Sequence, residues 1–380
     1  MPKNIIICLD GTSNEVKARG VTNVFKIAEL AELGDPDHPQ VLYYGPGVGT
    51  LPAPGAWTRA AQWISKFIGG QALGHGMRRD IGEAYAYLMN TWQPGDKVFV
   101  FGFSRGAYTA RALCGMLYRV GLLRPGSENL IPYAVRVYAR RAGHDDLAQP
   151  EGWDRMDRFA AALSTRRDDG RLSFPIQFLG LFDTVKGTGI IGPDIHWPYT
   201  NLLPNVAVVR HAVAIDEWRR PFRENLVPVH PPGEKPAVTE VWFAGIHSDI
   251  GGGYFADPKH HDAPATTKHL GSSADINDPQ LGNISMRWML DGAIAEGLRV
   301  RKQAYRNRYT LSEIVERPMH ANSFAWRLAG FRHRRIPEGA RVHASVYTRM
   351  AADPHYRPRL PENYTREDEH CWEEPTFPDQ

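Results

Sequence analysis

Short apolar runs alternate along most of this chain with longer segments of helical periodicity. The apolar runs predict strands over 4–9, 41–44, 98–101, 176–182 and 238–246. The periodic segments predict helices over 22–33, 57–68, 76–91, 106–120, 131–141, 154–164, 205–219 and 284–300. Strands that alternate with helices favour an α/β fold, with a mainly parallel, doubly wound sheet and flanking helices.

The pattern changes near residue 300. Beyond it come Arg- and Pro-rich segments, then an acidic tail that begins at Glu362. Val342 to Arg349 predicts one more strand or helix. Because the apolar periods there are too few for an independent core, we expect residues 1–300 to form the main domain. Residues 301–380 are predicted to be a C-terminal extension packed on it.

A glycine-flanked serine follows the third predicted strand. The segment Gly102-Phe103-Ser104-Arg105-Gly106 lies between the run Val98–Phe101 and the helical stretch Ala107–Leu117. A strand, a sharp turn and a helix would hold the Ser104 hydroxyl exposed at the top of the sheet, and both glycines relieve crowding in the turn. This is the pattern of a nucleophile elbow, so Ser104 is the candidate nucleophile.

Two later strands end in residues that could activate this serine. Asp183 follows the run 176–182, and His247 follows the run 238–246. Residues at the carboxyl ends of parallel strands can meet, and the order Ser, Asp, His is that of elbow hydrolases. We therefore predict Ser104, His247 and Asp183 as nucleophile, base and acid. Two structural alternatives stay open: Asp183 could cap a turn, and His247 could be a core histidine held by Asp249.

Acyl transfer also needs backbone donors for the oxyanion. One candidate is the amide of Arg105, and the second is the amide of Gly11 or Thr12 in the loop after the first strand. Alternatively, Asp10 and Thr12 only brace that loop through side-chain hydrogen bonds.

Charge and composition narrow the class of partner. The 380 residues include 45 basic and 42 acidic side chains, which are interspersed and give a net charge of +3, so nucleic acid is not expected as a partner. The patch Arg332–Arg335 is interpreted as a solvated turn.

No signal-peptide pattern and no run of about 18 apolar residues is present. The chain is expected to be cytoplasmic as synthesised, with any export by a signal-independent route.

Several motifs resemble one known family. In order they are Leu9–Thr12, Thr22–Val24, Tyr44–Thr50, Phe101–Arg111 (FGFSRGAYTAR), Phe182–Val185, His211–Arg220 and Trp242–Tyr254 (WFAGIHSDIGGGY). Across residues 3–300 the chain resembles a bacterial and fungal family of α/β-hydrolases that includes the phospholipase effectors of type VI secretion. The resemblance implies an α/β-hydrolase core with Ser104 as nucleophile, His247 as base and Asp183 as acid.

The resemblance further implies a serine ester hydrolase, a lipase or phospholipase acting on acyl esters of glycerophospholipids. No cofactor and no metal are expected. Expected partners are the lipid or ester substrate, a membrane surface in transient contact, and a secretion or immunity protein. Export by type VI secretion is the matching route. The apolar stripe of the predicted helix 57–68 is either core packing or a lid that contacts lipid.

Two other functions stay open. The segment Leu9–Thr12 resembles the start of a metal-dependent phosphohydrolase site, although Cys8 occupies the place where such enzymes of the haloacid-dehalogenase type need an aspartate. The third alternative is a non-catalytic binding module that retains the elbow.

Overall fold

One parallel sheet organises the molecule. The computed structural model describes residues 1–11, 21–47, 70–141, 150–166, 170, 172–186, 195–229, 236–253, 280–309, 311, 330–367, 375 and 377. Its strands are β1 Asn4–Leu9, β2 Gln40–Gly45, β3 Lys97–Phe103, β4 Arg140–Arg141, β5 Ile176–Phe182, β6 Ile195–His196, β7 Val206–Ala214, β8 Ala237–Phe243, β9 Ala340–His343 and β10 Tyr364–Glu367. Eight of them form a sheet in the order β10-β9-β8-β7-β5-β3-β1-β2, and every pairing in it is parallel. The short strands β4 and β6 form a separate antiparallel pair.

The helices connect these strands. They are α1 Asn23–Leu30, α2 Gly70–Thr91, α3 Arg105–Arg119, α4 Ile131–Tyr138, α5 Pro150–Leu163, α6 His247–Gly251, α7 Gly282–Ala295, α8 Lys302–Asn307 and α9 Ala344–Ala352. Short 3₁₀ turns occupy Glu128–Leu130 and Arg220–Phe222. The predicted α/β class with a parallel, doubly wound sheet is confirmed. The predicted helix 57–68 lies outside the described residues.

One predicted helix is wrong. The segment 205–219 is not helical, because Val206–Ala214 forms β7 in the middle of the sheet. Valine occupies much of this segment, and its branched Cβ favours a strand. A strand in the centre of a parallel sheet is covered on both faces, so it lacks the polar-apolar alternation that distinguishes a strand from a helix.

Two apolar layers cover the two faces of the sheet. Alternate side chains of β1 separate between them: Ile5 and Ile7 pack in the layer formed with α2, α3, α4 and α5, and Ile6 and Cys8 pack in the layer formed with α1 and α7. This alternation follows from the period of two in a strand. Because both faces are buried, the carboxyl edge of the sheet is where polar chemistry can be exposed to a ligand.

The order of the strands creates a crevice at that edge. β1 has β2 on one side and β3 on the other. The connections that leave β1 and β3 therefore diverge, and ligands of open α/β sheets bind at such a switch point. The loop that begins at Asp10 follows β1, and Ser104 follows β3.

The C-terminal segment is part of the same sheet. Trp242 of β8 pairs in register with Val342 of β9, and a third apolar cluster joins Trp242 and Val213 to Val342, Val346 and Tyr356. The predicted element at 342–349 is thus the end of a strand followed by the start of α9. The domain boundary at residue 300 stays a prediction.

Trp242 is expected to anchor the C-terminal segment, because its side chain is only 1% exposed. Trp242→Ala should lower the free energy of unfolding by about 3–5 kcal/mol, since it removes a large buried side chain and leaves a cavity. Urea unfolding and protease sensitivity of residues 340–367 are the measurements. Trp218→Ala is the matched control: this side chain is 44% exposed, so its loss should change stability by about 0.5 kcal/mol or less. Equal losses in the two variants would contradict this assignment.

Candidate active site

Ser104 lies in a strained turn between β3 and α3. Its backbone has φ 59° and ψ −123°, a combination that non-glycine residues rarely adopt. A Cβ on Gly102 would lie 2.6 Å from the Ala107 Cα, and one on Gly106 would lie 2.2 Å from the Leu9 carbonyl oxygen. Both positions therefore require glycine. The elbow predicted from the sequence is present.

Three side chains from separate connections form one hydrogen-bonded chain. The Ser104 Oγ lies 2.8 Å from Nε2 of His247, and Nδ1 of His247 lies 2.5 Å from Oδ2 of Asp183. All three residues are buried, with Ser104 the most exposed at 7%. The structure therefore brings together the three residues that the sequence predicts as nucleophile, base and acid.

The element that presents His247 differs from the prediction. The strand expected over 238–246 ends at Phe243, and His247 is the first residue of the short helix α6. Asp249 does not hold the imidazole as a pair; its Oδ2 accepts a hydrogen bond from the Ile246 amide at 3.0 Å. The imidazole contacts the rings of Phe103 and Phe222, with centroid separations of 4.7 and 4.8 Å.

Asp183 links two strands rather than capping a local turn. Its amide donates to the Ala212 carbonyl at 2.7 Å, and its Oδ1 accepts from the Ala214 amide at 2.9 Å. The residue has φ 42°, in the left-handed region that aspartate tolerates. These bonds fix the carboxylate beyond the end of β5, facing the imidazole of His247.

Arg334 is the residue of this site that the sequence did not reveal. Its guanidinium binds both oxygens of Asp183, with Nη1 at 2.5 Å from Oδ1 and Nη2 at 2.8 Å from Oδ2. It also donates to the carbonyls of Ala214 and Phe222. Arg334 is buried, whereas Arg332 and Arg335 beside it are exposed. The solvated turn predicted for 332–335 is therefore wrong for Arg334 alone.

Burial and charge set the protonation states. Burial alone would raise the pKa of Asp183, but the Arg334 guanidinium and the hydrogen bonds from His247 and Arg334 outweigh it and hold that pKa well below its usual value. Burial lowers the pKa of His247, and the hydrogen bond and charge of Asp183 oppose this only in part. Near neutral pH the pair is an ionised carboxylate and a neutral imidazole, the form that can accept the serine proton.

A second ion pair supports His247 from its backbone. The carboxylate of Glu217 accepts the His247 amide at 3.1 Å and is held by Arg219 at 2.8 and 2.7 Å. Burial raises the pKa of Glu217, but the hydrogen bond and charge of Arg219 outweigh it and lower that pKa overall. Because Glu217 stays ionised, it fixes the first turn of α6.

A buried His–Glu pair lies beneath the Asp183 connection. Nδ1 of His211 is 2.9 Å from Oε2 of Glu240, and Nε2 of His211 accepts the Thr184 amide at 3.2 Å. Glu240 also accepts the Val227 amide. His211 lies in the segment that sequence periodicity assigned to a helix. Only the observed strand β7 brings its imidazole next to Glu240 and Thr184.

The predicted oxyanion donors differ in whether their N–H groups already have an acceptor. Arg105 is the first residue of α3, so its amide is one of those that helix geometry leaves without an intrahelical acceptor. The Gly11 amide donates to Oδ1 of Asp10 at 2.6 Å, and Oδ2 of Asp10 accepts from Thr22 and Tyr44. Asp10 therefore braces its loop, as the structural alternative predicts. Thr12 lies outside the described residues.

A parallel α/β sheet whose elbow serine meets an imidazole and a carboxylate in the order Ser, Asp, His has the organisation of an α/β-hydrolase. Comparison with known proteins agrees with this class. Residues 3–292 match the family described as "T6SS, Phospholipase effector Tle1-like, catalytic domain", and the chain belongs to that family. The resemblance inferred from the motifs is thus confirmed.

Individual relatives are more distant. The uncharacterized protein YEL023C of Saccharomyces cerevisiae is 34% identical over 233 residues, which are 58% of this chain; the chain spans about a third (32%) of that protein's length. A Tle1 effector solved bound to the VgrG spike of the type 6 secretion system aligns with 86% of this chain and 82% of its own, with 16% identity and a TM-score of 0.45. An uncharacterized protein from Pseudomonas aeruginosa aligns with 86% of this chain and 50% of its own, with 17% identity and a TM-score of 0.43.

Two further observations concern ligands and membranes. Within the ranges given above, no three histidine, cysteine or acidic side chains are grouped as metal ligands would be. None of the helices in those ranges combines the length and apolar character needed to cross a bilayer.

The Arg334–Asp183 pair is expected to stabilise the fold as well as the site. Arg334→Met should lower the free energy of unfolding by about 3–5 kcal/mol at neutral pH, because it leaves a buried carboxylate without its cation. Asp183→Asn/Arg334→Met removes both charges and should lose less than the single variant. Urea unfolding at neutral pH measures both losses.

The same pair predicts a pH dependence. The pKa of Asp183 is lower in the folded state than its unfolded value of ~3.9. Its contribution is therefore fully present above that unfolded value and is lost as the pH falls toward the folded one. The stability gap between wild type and Arg334→Met should narrow below about pH 4. A gap that stays constant across this acid range would contradict the assignment.

Proposed function

We propose that this protein is a serine ester hydrolase, a phospholipase that acts on acyl esters of glycerophospholipids. The observation that carries the proposal is the continuous hydrogen-bonded chain from Ser104 through His247 to Asp183. Membership of the Tle1-like family supports the lipid substrate class.

The proposed reaction follows from the two hydrogen bonds of the imidazole. Nε2 of neutral His247 accepts the Ser104 proton as Oγ attacks the ester carbonyl. Asp183 accepts the Nδ1 proton in its hydrogen bond and so fixes the tautomer that leaves Nε2 free to act as the base. Because Arg334 holds Asp183 ionised, the carboxylate stabilises the imidazolium that forms. His247 then protonates the leaving alcohol, and the same base activates the water that releases the acyl group.

The oxyanion requires amides at fixed positions. The Arg105 amide, at the N-terminus of α3, is the first proposed donor, and the helix dipole adds favourable partial charge there. The second proposed donor is the amide of Gly11 or Thr12. For Gly11 to serve, its N–H has to leave the Asp10 carboxylate and donate to the oxyanion instead. The oxyanion becomes the stronger acceptor once its charge has developed.

The side chain of Arg105 favours an anionic substrate. It is only partly exposed, burial lowers its pKa to about 10, and no carboxylate among the described residues forms an ion pair with it. A guanidinium that no described carboxylate pairs with, next in sequence to the proposed nucleophile, suits the phosphate of a glycerophospholipid. A neutral acylglycerol offers no such group, so the phospholipid is the proposed substrate.

Delivery and protein partners are proposed from the family alone. Its description connects the catalytic domain with type VI secretion effectors. Export by that route, and an immunity protein that protects the producing cell, therefore stay predictions for this chain.

Ser104→Ala is expected to reduce ester hydrolysis by several powers of ten, because the nucleophile is lost while the fold persists. Wild type and variant are compared on a phosphatidylcholine and on a neutral diacylglycerol with the same acyl chains. Wild type should prefer the phospholipid. A fluorophosphonate probe should label Ser104 and no other residue. Full turnover by the variant, or a wild type that neither hydrolyses esters nor reacts with the probe, would overturn the proposed function.

The pH profile of kcat/KM is expected to rise with the deprotonation of His247. Because burial lowers the pKa of this imidazole below its ordinary 6.5, the midpoint of the acid limb should lie below pH 6.5 on a soluble short-chain ester. Glu217→Gln should shift the midpoint further down, since the Glu217 charge raises the His247 pKa and Arg219 lowers it. A wild-type midpoint above pH 6.5, or an upward shift in the variant, would contradict this.

A further inference from the structure

Two segments pair beside the active site and form what we call the rim ribbon, residues 217–223 and 330–335. The Arg332 amide donates to the Trp218 carbonyl at 2.7 Å, and the Arg220 amide donates to the Gly330 carbonyl at 3.1 Å. An antiparallel bridge between Arg219 and Phe331 lies between these bonds. The rim ribbon is therefore a defined piece of backbone structure.

One side of the rim ribbon supports the catalytic residues. Glu217 accepts the His247 amide, the Phe222 ring packs on the His247 imidazole, and Arg334 binds Asp183. Glu217 and Arg334 are buried. Other side chains of the two segments are exposed to solvent instead.

The exposed side chains of the rim ribbon, which form what we call its outward side, are aromatic and basic. Trp218 and Phe331 are 44% and 42% exposed, and His333 packs against the Trp218 ring at 4.8 Å. Four arginines of the ribbon are exposed: Arg220, Arg223, Arg332 and Arg335. In the part of the chain that the structure describes, none of the four forms an ion pair with a carboxylate.

A fifth arginine lies close to this surface. Burial, and then the charge of Arg359, lower the pKa of His333, which places that guanidinium near the ribbon. His333 is neutral at pH 7, so the positive charge of the surface comes from the arginines and does not depend on histidine protonation.

This combination suits the surface of an anionic bilayer. Tryptophan and other aromatic rings partition into the headgroup region, where an apolar ring and a polar edge are both accommodated. Unpaired arginines gain free energy from the negative surface potential of anionic lipids. An acidic protein would satisfy the arginines as well, but the inward side of the same ribbon holds a site whose proposed substrate is itself a membrane lipid.

We propose that the outward side of the rim ribbon, built on Trp218, Phe331 and the exposed arginines, docks the protein on an anionic phospholipid surface. The inference rests on the proposed function, since it assigns the surface from which the same active site takes its substrate. Docking through this ribbon places the crevice that contains Ser104 against the headgroups. It requires no change in the triad, because the ribbon already contacts it.

The test is co-sedimentation of the full chain with vesicles, in a Ser104→Ala background so that the lipid stays intact. One set of vesicles is phosphatidylcholine, and the other is an equal mixture of phosphatidylcholine and phosphatidylglycerol. The protein should bind the mixed vesicles more tightly, and added salt should weaken the binding. Arg332→Glu/Arg335→Glu should reduce partition into the mixed vesicles by on the order of 10- to 30-fold, and Arg332→Lys/Arg335→Lys should restore it.

The aromatic contribution is tested separately. Trp218→Ala/Phe331→Ala should weaken binding to both kinds of vesicle several-fold. Matched controls change an exposed arginine and an exposed aromatic residue outside the ribbon: Arg158→Glu on α5 and Tyr133→Ala on α4, the latter 40% exposed. The controls should bind vesicles as the parent does.

Hydrolysis of a soluble ester, measured with Ser104 present, distinguishes a loss of membrane docking from damage to the folded structure. The ribbon variants should keep kcat/KM on a short-chain soluble ester within about twofold of wild type and lose hydrolysis of the mixed vesicles. Vesicle binding unchanged by charge reversal would overturn the proposal, as would no vesicle binding by the parent or loss of soluble-ester hydrolysis in the same variants. If the Ser104→Ala parent binds vesicles but the wild type with Ser104 hydrolyses no ester, the proposed function is refuted instead.

Discussion

The buried ion pair between Arg334 and Asp183 is the interaction on which the rest of the site depends. A carboxylate buried as deeply as Asp183 would be driven toward its neutral form without a cation, and a neutral acid would no longer hold the His247 proton on Nδ1. The guanidinium binds both oxygens, and its Nη1 and Nη2 atoms each also donate to a backbone carbonyl. Arg334 lies in the segment just before β9, whereas the other residues of the site lie in or before α6. The part of the chain after residue 330 therefore completes the site.

A second constraint is the closeness of two backbones at the switch point. Gly106 lies against the Leu9 carbonyl so tightly that any side chain there would collide with it. The same contact brings Asp10 next to the N-terminus of α3, where the proposed oxyanion would be bound. The left-handed conformation of Ser104 is therefore maintained by the packing of its two neighbouring strands, and the strain is stored at the proposed nucleophile.

Sequence alone predicted the sheet and the three central residues for a physical reason. Ser104, Asp183 and His247 each follow a strongly apolar run, and parallel strands bring their carboxyl ends to one edge. β7 was not predicted, because a strand that is covered on both faces has no alternation of polar and apolar residues. Without that strand, the pairing of His211 with Glu240 could not be foreseen. Arg334 could not be found by the same means. No local pattern separates it from exposed Arg332 and Arg335, and only the tertiary fold determines which of these guanidiniums meets the carboxylate.

The position of Arg334 also explains why a family motif would not reveal it. The match to the family ends at residue 292, before the rim ribbon's second segment begins. The inward side chain of that segment, Arg334, must fit Asp183. The outward side chains need only be compatible with solvent or with a partner. The exposed tryptophan and phenylalanine, beside arginines that form no ion pair within the described ranges, exceed what solubility requires, since polar side chains would serve that purpose without presenting apolar area to water. The outward composition is therefore better explained by a contact than by solvation, and the ion pair of Arg334 with Asp183 places that contact beside the candidate active site.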